Sequence, residues 1–405
     1  MRKHVVVIGK GGREHALAYG LRKSAEVTVI PGRAGIPGSS DVPLESSLTD
    51  LFVIGPEEPL VGGLADDLRG QRYTVFGPGI EGAQLEGSKI WMKSFLDEAG
   101  IPTAPWEWFG AGNIAGAEKY LKSLKPPYVI KTDGLAAGKG TFVTFDPALA
   151  IEDARTKLNG YAFGDAGRRI VIEEGLSGPE LSFLAVCNGS GWVLLPSARD
   201  YKRLLNGDRG PNTGGMGAFS PVPDSPGPDV LGPIIDATTR QLKLLGIDYR
   251  GALYGGLMLT EDGPKMLEYN IRFGDPETQV IVPRLRSDLT ELLFRAGNGE
   301  RLPEVTEEGA CVTVVLASEG YPTSPVKGDV ITGIRQAGDM EGVLVFHSGT
   351  ALDENDNFIT DGGRVLSVTA SGATIKKARE LAYRAVKKIH FRGMQYRTDI
   401  AEDVE

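Results

Sequence analysis

The first hundred residues alternate short apolar runs with helical patterns, and this alternation restricts the possible folds more than any other feature of the chain. Residues 4–8 form a β-branched run, glycines interrupt it in residues 9–12, and a helical spacing of apolar residues follows. Further apolar runs predict buried strands at residues 27–30, 51–54 and 74–76. Because strands that alternate with helices usually form parallel sheets, we expect an open parallel α/β sheet here.

The chain has 405 residues, which is more than one hydrophobic core usually serves. A proline-containing linker at residues 101–105 and a new run of strands after residue 310 predict domain boundaries near residues 100 and 305. We therefore predict three domains of mixed α/β and α+β class. Their ranges are 1–100, 101–305 and 306–405.

Composition and charge restrict the partners of the protein. Charged residues make up 24% of the chain and hydrophobic residues 41%, as in ordinary globular proteins. The net charge of −9 argues against a general nucleic-acid binder. The first apolar run ends at Gly9 and is too short for a signal peptide or a membrane span. We expect a cytoplasmic protein without nucleic-acid or membrane partners.

The cysteines and histidines give no sign of nucleophilic catalysis. Cys187 and Cys311 stand in apolar surroundings without Cys-x-x-Cys spacing, so we expect reduced core residues. The histidines lie far apart in the sequence and are not expected to form a cluster: His4, His15, His347 and His390.

The middle of the chain predicts a compact unit followed by a long loop. Five strand-like runs surround one predicted helix, residues 147–158, and indicate a single α+β unit: 128–131, 141–144, 170–173, 181–186 and 192–195. Residues 196–228 are rich in Gly, Pro and Asn and show no periodicity. Loops of that length are usually functional or disordered.

Other helices and strands have clearer boundaries. Residues 88–99 predict a helix that Ser88 caps and Gly100 ends. Residues 251–259 and 265–271 predict a hairpin around a Glu-Asp-Gly turn. Three further helices are predicted, at residues 229–245, 288–297 and 374–388.

A glycine-rich turn with two lysines indicates a phosphate site. The predicted strand 128–131 ends at Lys131, and the following turn contains Gly134, Gly138, Lys139 and Gly140. Ammonium groups beside unobstructed backbone amides suit phosphate oxygens. The order of residues is not that of a Walker P-loop. Taken alone, the segment is more often a structural turn.

Glu268 and Asn270 could bind a hard cation. They are two residues apart on a predicted strand, so their oxygens leave the same face of the sheet. Oxygen ligands without nearby His or Cys favour magnesium or manganese, and magnesium usually bridges such ligands to substrate phosphates. The simpler interpretation, two solvated residues on an edge strand, is more common for such a pair alone.

Residues 199–217 combine charge with flexible backbone. A run of charged residues, 199–203, precedes Gly-Pro-Asn-Thr-Gly-Gly-Met-Gly at 210–217. A disordered linker seldom combines these features, so we expect a functional segment.

Six motifs together resemble one family across the whole chain. They are Gly-Gly-Arg-Glu-His-Ala (11–16), Gly-Pro-Glu-x-Pro-Leu (55–60), Gln-Leu-Glu-Gly-Ser-Lys (84–89), Lys-x-Asp-Gly-Leu-Ala-Ala-Gly-Lys-Gly (131–140), Gly-Pro-Asn-Thr-Gly-Gly-Met-Gly-Ala (210–218) and Arg-Phe-Gly-Asp-Pro-Glu-Thr-Gln (272–279). The set resembles the phosphoribosylamine–glycine ligases. The resemblance implies an ATP-grasp fold, with an N-terminal substrate-binding α/β domain, a central domain with a mobile lid at about 125–190, and a small C-terminal domain.

The resemblance also implies a reaction. Glycine would be joined to 5-phosphoribosylamine, with ATP cleaved to ADP and phosphate through a glycyl phosphate, in the presence of Mg²⁺ or Mn²⁺. Such an enzyme of purine biosynthesis would act on small molecules as a monomer or homodimer.

Residue roles carried over from the family motifs are as follows. The expected catalytic residues are Lys131, Lys139, Asp200, Asn212 and Arg272. The expected nucleotide-binding residues are Lys89, Lys131, Gly134, Gly138, Lys139, Gly140, Glu173 at the adenine edge and Glu180 at the ribose. The expected substrate-binding residues are Gly11, Gly12, Arg13, Glu14, Asp200, Asn212, Thr213, Gly214, Gly215, Met216, Arg272 and Asp275. The expected metal ligands are Glu268 and Asn270.

Three alternatives differ in class. A nicotinamide-dependent dehydrogenase lacks support, because residues 9–14 do not give the third glycine of the dinucleotide-binding pattern. Another ATP-grasp carboxylate–amine ligase or a biotin carboxylase would share the general grip on ATP. A nucleotide-binding regulatory module would leave the pair Glu268 and Asn270 unexplained.

Overall fold

The structure is a computed structural model that describes residues 2–41, 48–136, 140–162, 168–223 and 225–404. Its strands are β1 Lys3–Gly9, β2 Ala25–Pro31, β3 Leu51–Ile54, β4 Val75–Phe76, β5 Trp106–Gly110, β6 Tyr128–Thr132, β7 Thr141–Thr144, β8 Arg169–Glu174, β9 Glu180–Asn188, β10 Trp192–Leu194, β11 Arg199–Asp200, β12 Arg203–Leu205, β13 Arg209–Asn212, β14 Gly217–Ser220, β15 Arg250–Thr260, β16 Gly263–Asn270, β17 Ala310–Ala317, β18 Val343–His347, β19 Thr350–Leu352, β20 Phe358–Thr360 and β21 Arg364–Gly372. Its α-helices are α1 Gly12–Leu21, α2 Glu57–Val61, α3 Leu64–Gly70, α4 Ile80–Gly87, α5 Lys89–Ala99, α6 Ile114–Ser123, α7 Pro147–Leu158, α8 Pro228–Leu244, α9 Thr278–Ile281, α10 Leu289–Asn298, α11 Ile334–Gly338 and α12 Ile375–Val386.

The N-terminal strands form the expected parallel sheet. Its order is β2-β1-β3-β4, and every pairing in it is parallel. All four residues of β3 are buried, as a strand covered on both faces requires. The helical pattern of residues 60–68 forms two helices rather than one, because Gly63 lies between them with φ +87°. The predicted class of this region is confirmed.

Helix α5 begins and ends where the sequence predicts. The Ser88 hydroxyl accepts a hydrogen bond from the Trp91 amide at 3.2 Å, and Gly100 ends the helix with φ +67°. Asp133, just after β6, also contacts the start of the helix: its Oδ1 accepts from Ser88 Oγ at 2.9 Å and from the Ile90 amide at 3.2 Å. The helix N-terminus is thereby fixed beside the glycine-rich turn.

The central strands form two sheets instead of the single predicted unit. One sheet has the order β5-β8-β6-β7, and the other has the order β10-β9-β15-β16. The prediction that β9 and β10 surround α7 with the other strands is wrong. Strand β9 pairs instead with β15 along its whole length. Periodicity predicts a buried strand but not its partner, and this partner lies about 70 residues away.

The predicted loop at residues 196–228 is also wrong in part. It contains β11 to β14, each of only two to four residues. Strands this short have no measurable period. Strands β11 and β14 belong to an antiparallel sheet of the order β11-β14-β17-β21-β18, which the C-terminal strands complete.

The remaining predicted elements are confirmed. The hairpin is β15 paired with β16, and the three later helices are α8, α10 and α12. Both cysteines are buried and free. Within the described part of the chain, no helix has the length and apolar character needed to cross a membrane.

Two histidines meet where the N-terminal and C-terminal parts of the chain touch, so the expectation of no histidine cluster is wrong. The ring centroids of His15 on α1 and His347 on β18 are 5.9 Å apart. The His347 amide donates to His15 Nδ1 at 2.9 Å. The His347 ring contacts the Thr350 hydroxyl at 3.1 Å, and that hydroxyl donates to the Ala34 carbonyl oxygen at 2.8 Å. A separation of 332 residues hides this contact in the sequence.

This histidine contact predicts loss of stability in acid. Burial lowers the pKa of His15 to about 3, with His347 and Arg22 adding to the effect, and burial lowers the pKa of His347 to about 4. Between these values and the ordinary pKa near 6.5, the unfolded chain binds more protons, so stability falls as the pH drops. We expect a loss on the order of 4 kcal/mol between pH 7.5 and pH 5 from the two groups.

Urea unfolding at several pH values measures this effect. The variant His347→Gln should show a shallower dependence on pH. The matched control His390→Gln, at an exposed position, should keep the slope of the parent chain. An unchanged slope in His347→Gln would contradict the prediction.

Candidate active site

Two lysines face one buried glutamate in the cleft between the two central sheets. Lys131 Nζ, near the end of β6, lies 2.8 Å from Oε1 of Glu173 on β8. Lys93 Nζ, on α5, lies 2.9 Å from Oε2 of the same carboxylate. Lys131 Nζ also donates to the Leu267 carbonyl oxygen at 3.1 Å. Glu173, predicted at the adenine edge, therefore has both oxygens beside ammonium groups.

The charges in this group shift one another's titration. Burial raises the pKa of Glu173, but Lys131 and Lys93 outweigh burial and hold the pKa below its ordinary value. Burial lowers the pKa of Lys93 to about 8, although Glu173 opposes the shift. Sequence patterns did not identify Lys93. The available signal was its spacing of four residues from Lys89, which places both side chains on one face of α5.

A β-bulge arranges the predicted metal ligands. Gly256 pairs with Glu268 but Leu257 pairs with Met266, so Leu267 is an extra residue in β16. Met266 and Tyr269 can then both be buried although they are three residues apart. Glu268 and Asn270 lie on the opposite face and are half-buried. The bulge also explains why the Leu267 carbonyl oxygen is available to Lys131.

Glu268 is surrounded by positive charge. Burial raises its pKa, but Lys202, Lys131, Lys89 and Arg272 together lower it below the ordinary value. The carboxylate is thus ionised near neutral pH and faces four cations. Such an excess of cations fits a site for phosphate groups. In the described residues, no group of three or more His, Cys, Asp or Glu side chains could hold a metal ion.

Lys202 is a further cation that the sequence did not single out. Its Nζ lies 3.6 Å from Oε2 of Glu180, which begins β9 and is exposed. Asp200 is the first-named cause of a raised Lys202 pKa, with Glu268 and Glu180 adding to it. Lys202 therefore lies between the expected ribose contact and the expected metal ligand.

Arg272 holds the amide of Asn270. Its Nη2 donates to Asn270 Oδ1 at 3.2 Å and to Glu86 Oε1 at 3.2 Å, while its Nε lies 3.4 Å from Glu57 Oε2. Burial lowers the pKa of Arg272, but Glu86 and Glu57 raise it further, so the net shift is upward. Glu86 Oε2 also accepts from the Ile271 amide at 2.9 Å. Glu57 and Glu86 lie in the motifs 55–60 and 84–89, but no role had been assigned to them.

Asp200 titrates in an unusual range. Burial raises its pKa to about 7; Lys202 opposes this shift, whereas Glu277 and Glu180 add to it. Glu277 in turn accepts a hydrogen bond from the Tyr254 hydroxyl at 2.9 Å. A carboxyl group that exchanges its proton near neutral pH beside a cleft is a candidate functional group.

The backbone amides of residues 213–216 all have partners within the protein. Thr213 and Met216 donate to the carbonyl oxygens of Lys202 and Tyr201, each at 2.8 Å. Gly214 donates to a tyrosine hydroxyl at 2.9 Å, and Gly215 donates to Thr213 Oγ1 at 3.0 Å. The amides that were expected to receive substrate are thus engaged, and Met216 is fully buried. Asn212, at the end of β13, is half-buried.

The C-terminal sheet reaches the same loop, although the sequence assigned no site residue to that part of the chain. The tyrosine that binds Gly214 is Tyr321. Arg364, at the start of β21, donates through Nη1 to the carbonyl oxygens of Gly214 and Asp275 and lies 3.3 Å from Asp275 Oδ1. A Cβ on Gly214 would lie 3.0 Å from the Arg364 guanidinium carbon, which explains the glycine there. Asp275 also accepts from the Gln279 amide at 2.7 Å.

The N-terminal site residues are fixed mainly by one another. Glu14 accepts from the Gly11 amide and from Arg13 Nε, each at 2.6 Å, and caps α1. Arg13 Nη1 donates to the Phe273 carbonyl oxygen at 3.1 Å. A Cβ on Gly11 would lie 3.7 Å from Asp275 Oδ2, so the structure brings Gly11 and Asp275 together. Gly12 has no room for a side chain, because a Cβ would lie 2.6 Å from Ser348 Oγ.

The glycine-rich turn is described only in part. Gly138 and Lys139 lie outside the described residues. Gly134 has φ +110°, which favours glycine. A Cβ on Gly140 would lie 2.7 Å from the Ala136 side chain. The two ends of the turn therefore approach each other closely.

The fold and the cleft define an ATP-grasp protein. The biotin carboxylase domain of a 2-oxoglutarate carboxylase from Hydrogenobacter thermophilus, solved with MgADP, ADP and bicarbonate, has the same fold at 15% identity. Its TM-score is 0.72, with 98% of this chain and 92% of that chain covered.

Sequence comparison then gives the family. The models for the N domain, the ATP-grasp (A) domain and the C domain of phosphoribosylglycinamide synthetase match residues 3–86, 87–278 and 311–403. A phosphoribosylamine–glycine ligase from Nostoc is 43% identical over 98% of both chains. The crystal structure of a phosphoribosylamine–glycine ligase from Thermotoga maritima is 38% identical, with a TM-score of 0.88 over 98% of this chain and 100% of that chain. The chain belongs to the phosphoribosylglycinamide synthetase family.

Proposed function

We propose that this protein joins glycine to 5-phosphoribosylamine and converts ATP to ADP and phosphate. The observation that carries the proposal is the match of all three family domains, in order, over nearly the whole chain. Relatives that match over 98% of their own length are named phosphoribosylamine–glycine ligases.

The reaction suits a site made of charges. A carboxylate is a poor electrophile, so an oxygen of the glycine carboxylate first takes the γ-phosphoryl group of ATP, and ADP leaves. The ribosylamine nitrogen then attacks the carbonyl carbon of this acyl phosphate. A C–N bond forms, the C–O bond to phosphate breaks, and the nitrogen loses a proton. No protein nucleophile is needed, so the chain contributes positioning and charge neutralisation.

Residues of four elements hold the nucleotide in this proposal. Lys131 on β6 and Lys89 on α5 contact the phosphate oxygens, and the turn that contains Gly134, Gly138, Lys139 and Gly140 covers them. Glu173 on β8 lies near the adenine edge. Glu180 at the start of β9 faces the ribose, and Lys202 brings positive charge between the ribose and the phosphates. The lid is proposed at about residues 125–190, within the central domain 101–305.

A divalent ion fits beside Glu268 and Asn270. Their carboxylate and amide oxygens lie on one face of β16, and four cations nearby indicate that anionic ligands belong there as well. Magnesium accepts two protein oxygens together with phosphates and water. A bound magnesium or manganese ion would neutralise charge on the transferred phosphoryl group. Arg272 keeps the Asn270 oxygen in place.

The glycine and ribosylamine pockets lie on either side of Asp275. Asp200, Asn212 and Arg272 are proposed to contact glycine and the acyl phosphate through their side chains. Residues 213–216 (Thr213, Gly214, Gly215 and Met216) would shape this pocket rather than bind through their amides, which have partners already. The helix that follows Gly11 and Gly12 would receive the ribosylamine phosphate at its N-terminus, and Arg13 and Glu14 would form the wall of that pocket.

We place the protein in the cytoplasm and expect a monomer or a homodimer. Two free, buried cysteines suit a reducing compartment. Size-exclusion chromatography with light scattering measures the oligomeric state.

Omission of single substrates tests the activity. We expect rapid phosphate release only when ATP, a divalent ion, glycine and phosphoribosylamine are all present, because each takes part in bond formation or charge neutralisation. Omission of any one should lower the rate to background in a coupled phosphate assay.

The same assay tests the alternative of a carboxylase. Bicarbonate in place of glycine should not support phosphate release. Release that is unaffected by glycine, or that bicarbonate sustains, would contradict the proposed function.

A further inference from the structure

Lys93 is a fully buried cation to which the proposed reaction assigns no role. Its side chain has no exposed surface, and its Nζ contacts Glu173 Oε2 at 2.9 Å and Thr103 Oγ1 at 2.7 Å. The Thr103 hydroxyl in turn donates to the Met266 carbonyl oxygen at 2.6 Å. Burial of a charged group costs free energy even when it is paired. A role in stability alone does not explain why a lysine is used there.

The charge balance of the group indicates what Lys93 contributes. One carboxylate, Glu173, lies between two ammonium groups, so the three side chains carry one net positive charge when all are ionised. Glu173 uses Oε2 for Lys93 and Oε1 for Lys131. Without Lys93, the carboxylate and Lys131 would form a neutral pair. The positive field of Lys131 at the phosphate site would then be largely cancelled.

We propose that Lys93 is a positioning residue for nucleotide binding, which balances the charge of Glu173 so that Lys131 keeps its positive charge for the phosphate groups of ATP. The inference rests on the proposed function, because it requires that Lys131 contacts phosphate. Lys93 itself does not contact the nucleotide in this arrangement.

The position of Lys131 supports this division of roles. Lys131 is 7% exposed at its side chain, whereas Lys93 and Glu173 are 0% and 3% exposed. Lys131 is also the member bonded to Leu267, the residue before Glu268. The three side chains therefore lead from the interior to the cleft, with Lys93 at the closed end.

Nucleotide affinity of a charge-removing variant tests the inference. In Lys93→Met, the dissociation constant for ATP should rise about tenfold, because the lost charge lies within one carboxylate of the phosphates. The dissociation constant for adenosine, which has no phosphate, should change less than threefold. Both are measured by isothermal titration calorimetry on the full chain.

A second substitution distinguishes charge balance from packing. Glu173→Gln removes the negative charge that Lys93 balances, so Lys93→Met with Glu173→Gln restores one net positive charge. We expect this double variant to recover most of the lost ATP affinity, which is coupling of the kind that double-mutant cycles measure. A merely structural role for Lys93 predicts a further loss instead.

The pH dependence of ATP binding is an independent readout. The groups that face Lys93 are Glu173 on β8, Lys131 on β6 and Asp97 on α5. Burial lowers the Lys93 pKa to about 8, so Lys93 loses its charge as the pH rises through that value. ATP affinity of the parent chain should decline between pH 7 and pH 9 at constant metal concentration. Lys93→Met should lack this decline.

Stability is measured in parallel. Arg284→Met is the matched control, because Arg284 is also buried and bonded, to Ser220 Oγ at 2.6 Å and the Gly309 carbonyl oxygen at 2.8 Å, outside the cleft. It is expected to lower the melting temperature without changing ATP affinity.

Each outcome has one meaning. Equal losses for ATP and adenosine, or a double variant as weak as Lys93→Met, would overturn the role of Lys93. A parent chain that does not bind ATP at all would instead reject the proposed function.

Discussion

Replacing Glu268 with alanine should lower kcat about a thousandfold or more while the fold remains intact. Glu268 supplies the only carboxylate of the proposed metal pair, and Asn270 alone is a weak ligand. The residue is half-buried on the cleft face of β16 and faces Lys202, Lys131, Lys89 and Arg272. Its loss would leave these cations without the carboxylate that balances them and the divalent ion without its charged ligand.

Steady-state phosphate release, together with circular dichroism, measures the effect of Glu268→Ala. The control is Glu261→Ala, in the exposed turn of the same hairpin, which should retain full activity. If Glu268→Ala kept kcat within tenfold of the parent chain, Glu268 would not be a metal ligand.

Lys131→Met should reduce kcat/KM for ATP by two to three orders of magnitude, about 3 to 4 kcal/mol of transition-state stabilisation. Methionine keeps most of the length of the side chain but removes the charge that Lys131 would place against the phosphates. Because Glu173 would still pair with Lys93, the variant should fold. This loss should exceed the loss in Lys93→Met, since Lys131 is the member of the group that reaches the cleft.

Lys125→Met is the matched control for Lys131→Met, because Lys125 is exposed and lies just before the same strand. Its kinetics should equal those of the parent chain. A Lys131→Met variant with unchanged KM and kcat would show that Lys131 serves only to hold Glu173 and Leu267. It would also remove the basis for the role of Lys93.

Local signals in the sequence predicted much of the fold. Ser88 and Gly100 define α5 because capping and a left-handed glycine act within a few residues. The face shared by Glu268 and Asn270 follows from the period of a strand. The pairing of β9 with β15 and the entry of β11 and β14 into the C-terminal sheet depend on contacts between distant residues, which no local pattern contains.

The candidate site shows the same limit. Lys131, Glu173 and Glu268 were found because they stand in motifs, and the structure brings them to one cleft. Lys93 and Arg364 were missed because neither belongs to a charge pattern that differs from an ordinary surface. Their importance arises from burial beside Glu173 in one case and from contacts with Gly214 and Asp275 in the other.

The strand order of the C-terminal sheet has a consequence for synthesis on the ribosome. Strand β14 pairs with β17, which begins 90 residues after Ser220 in the chain. While the nascent polypeptide emerges from its N-terminus, the segment around Asp200 and Asn212 has no sheet to join. Domains usually fold in the order of their translation, but here a wall of the central cleft must wait for the last quarter of the message. Premature termination should therefore yield a product that lacks this wall, however well its first two domains have folded.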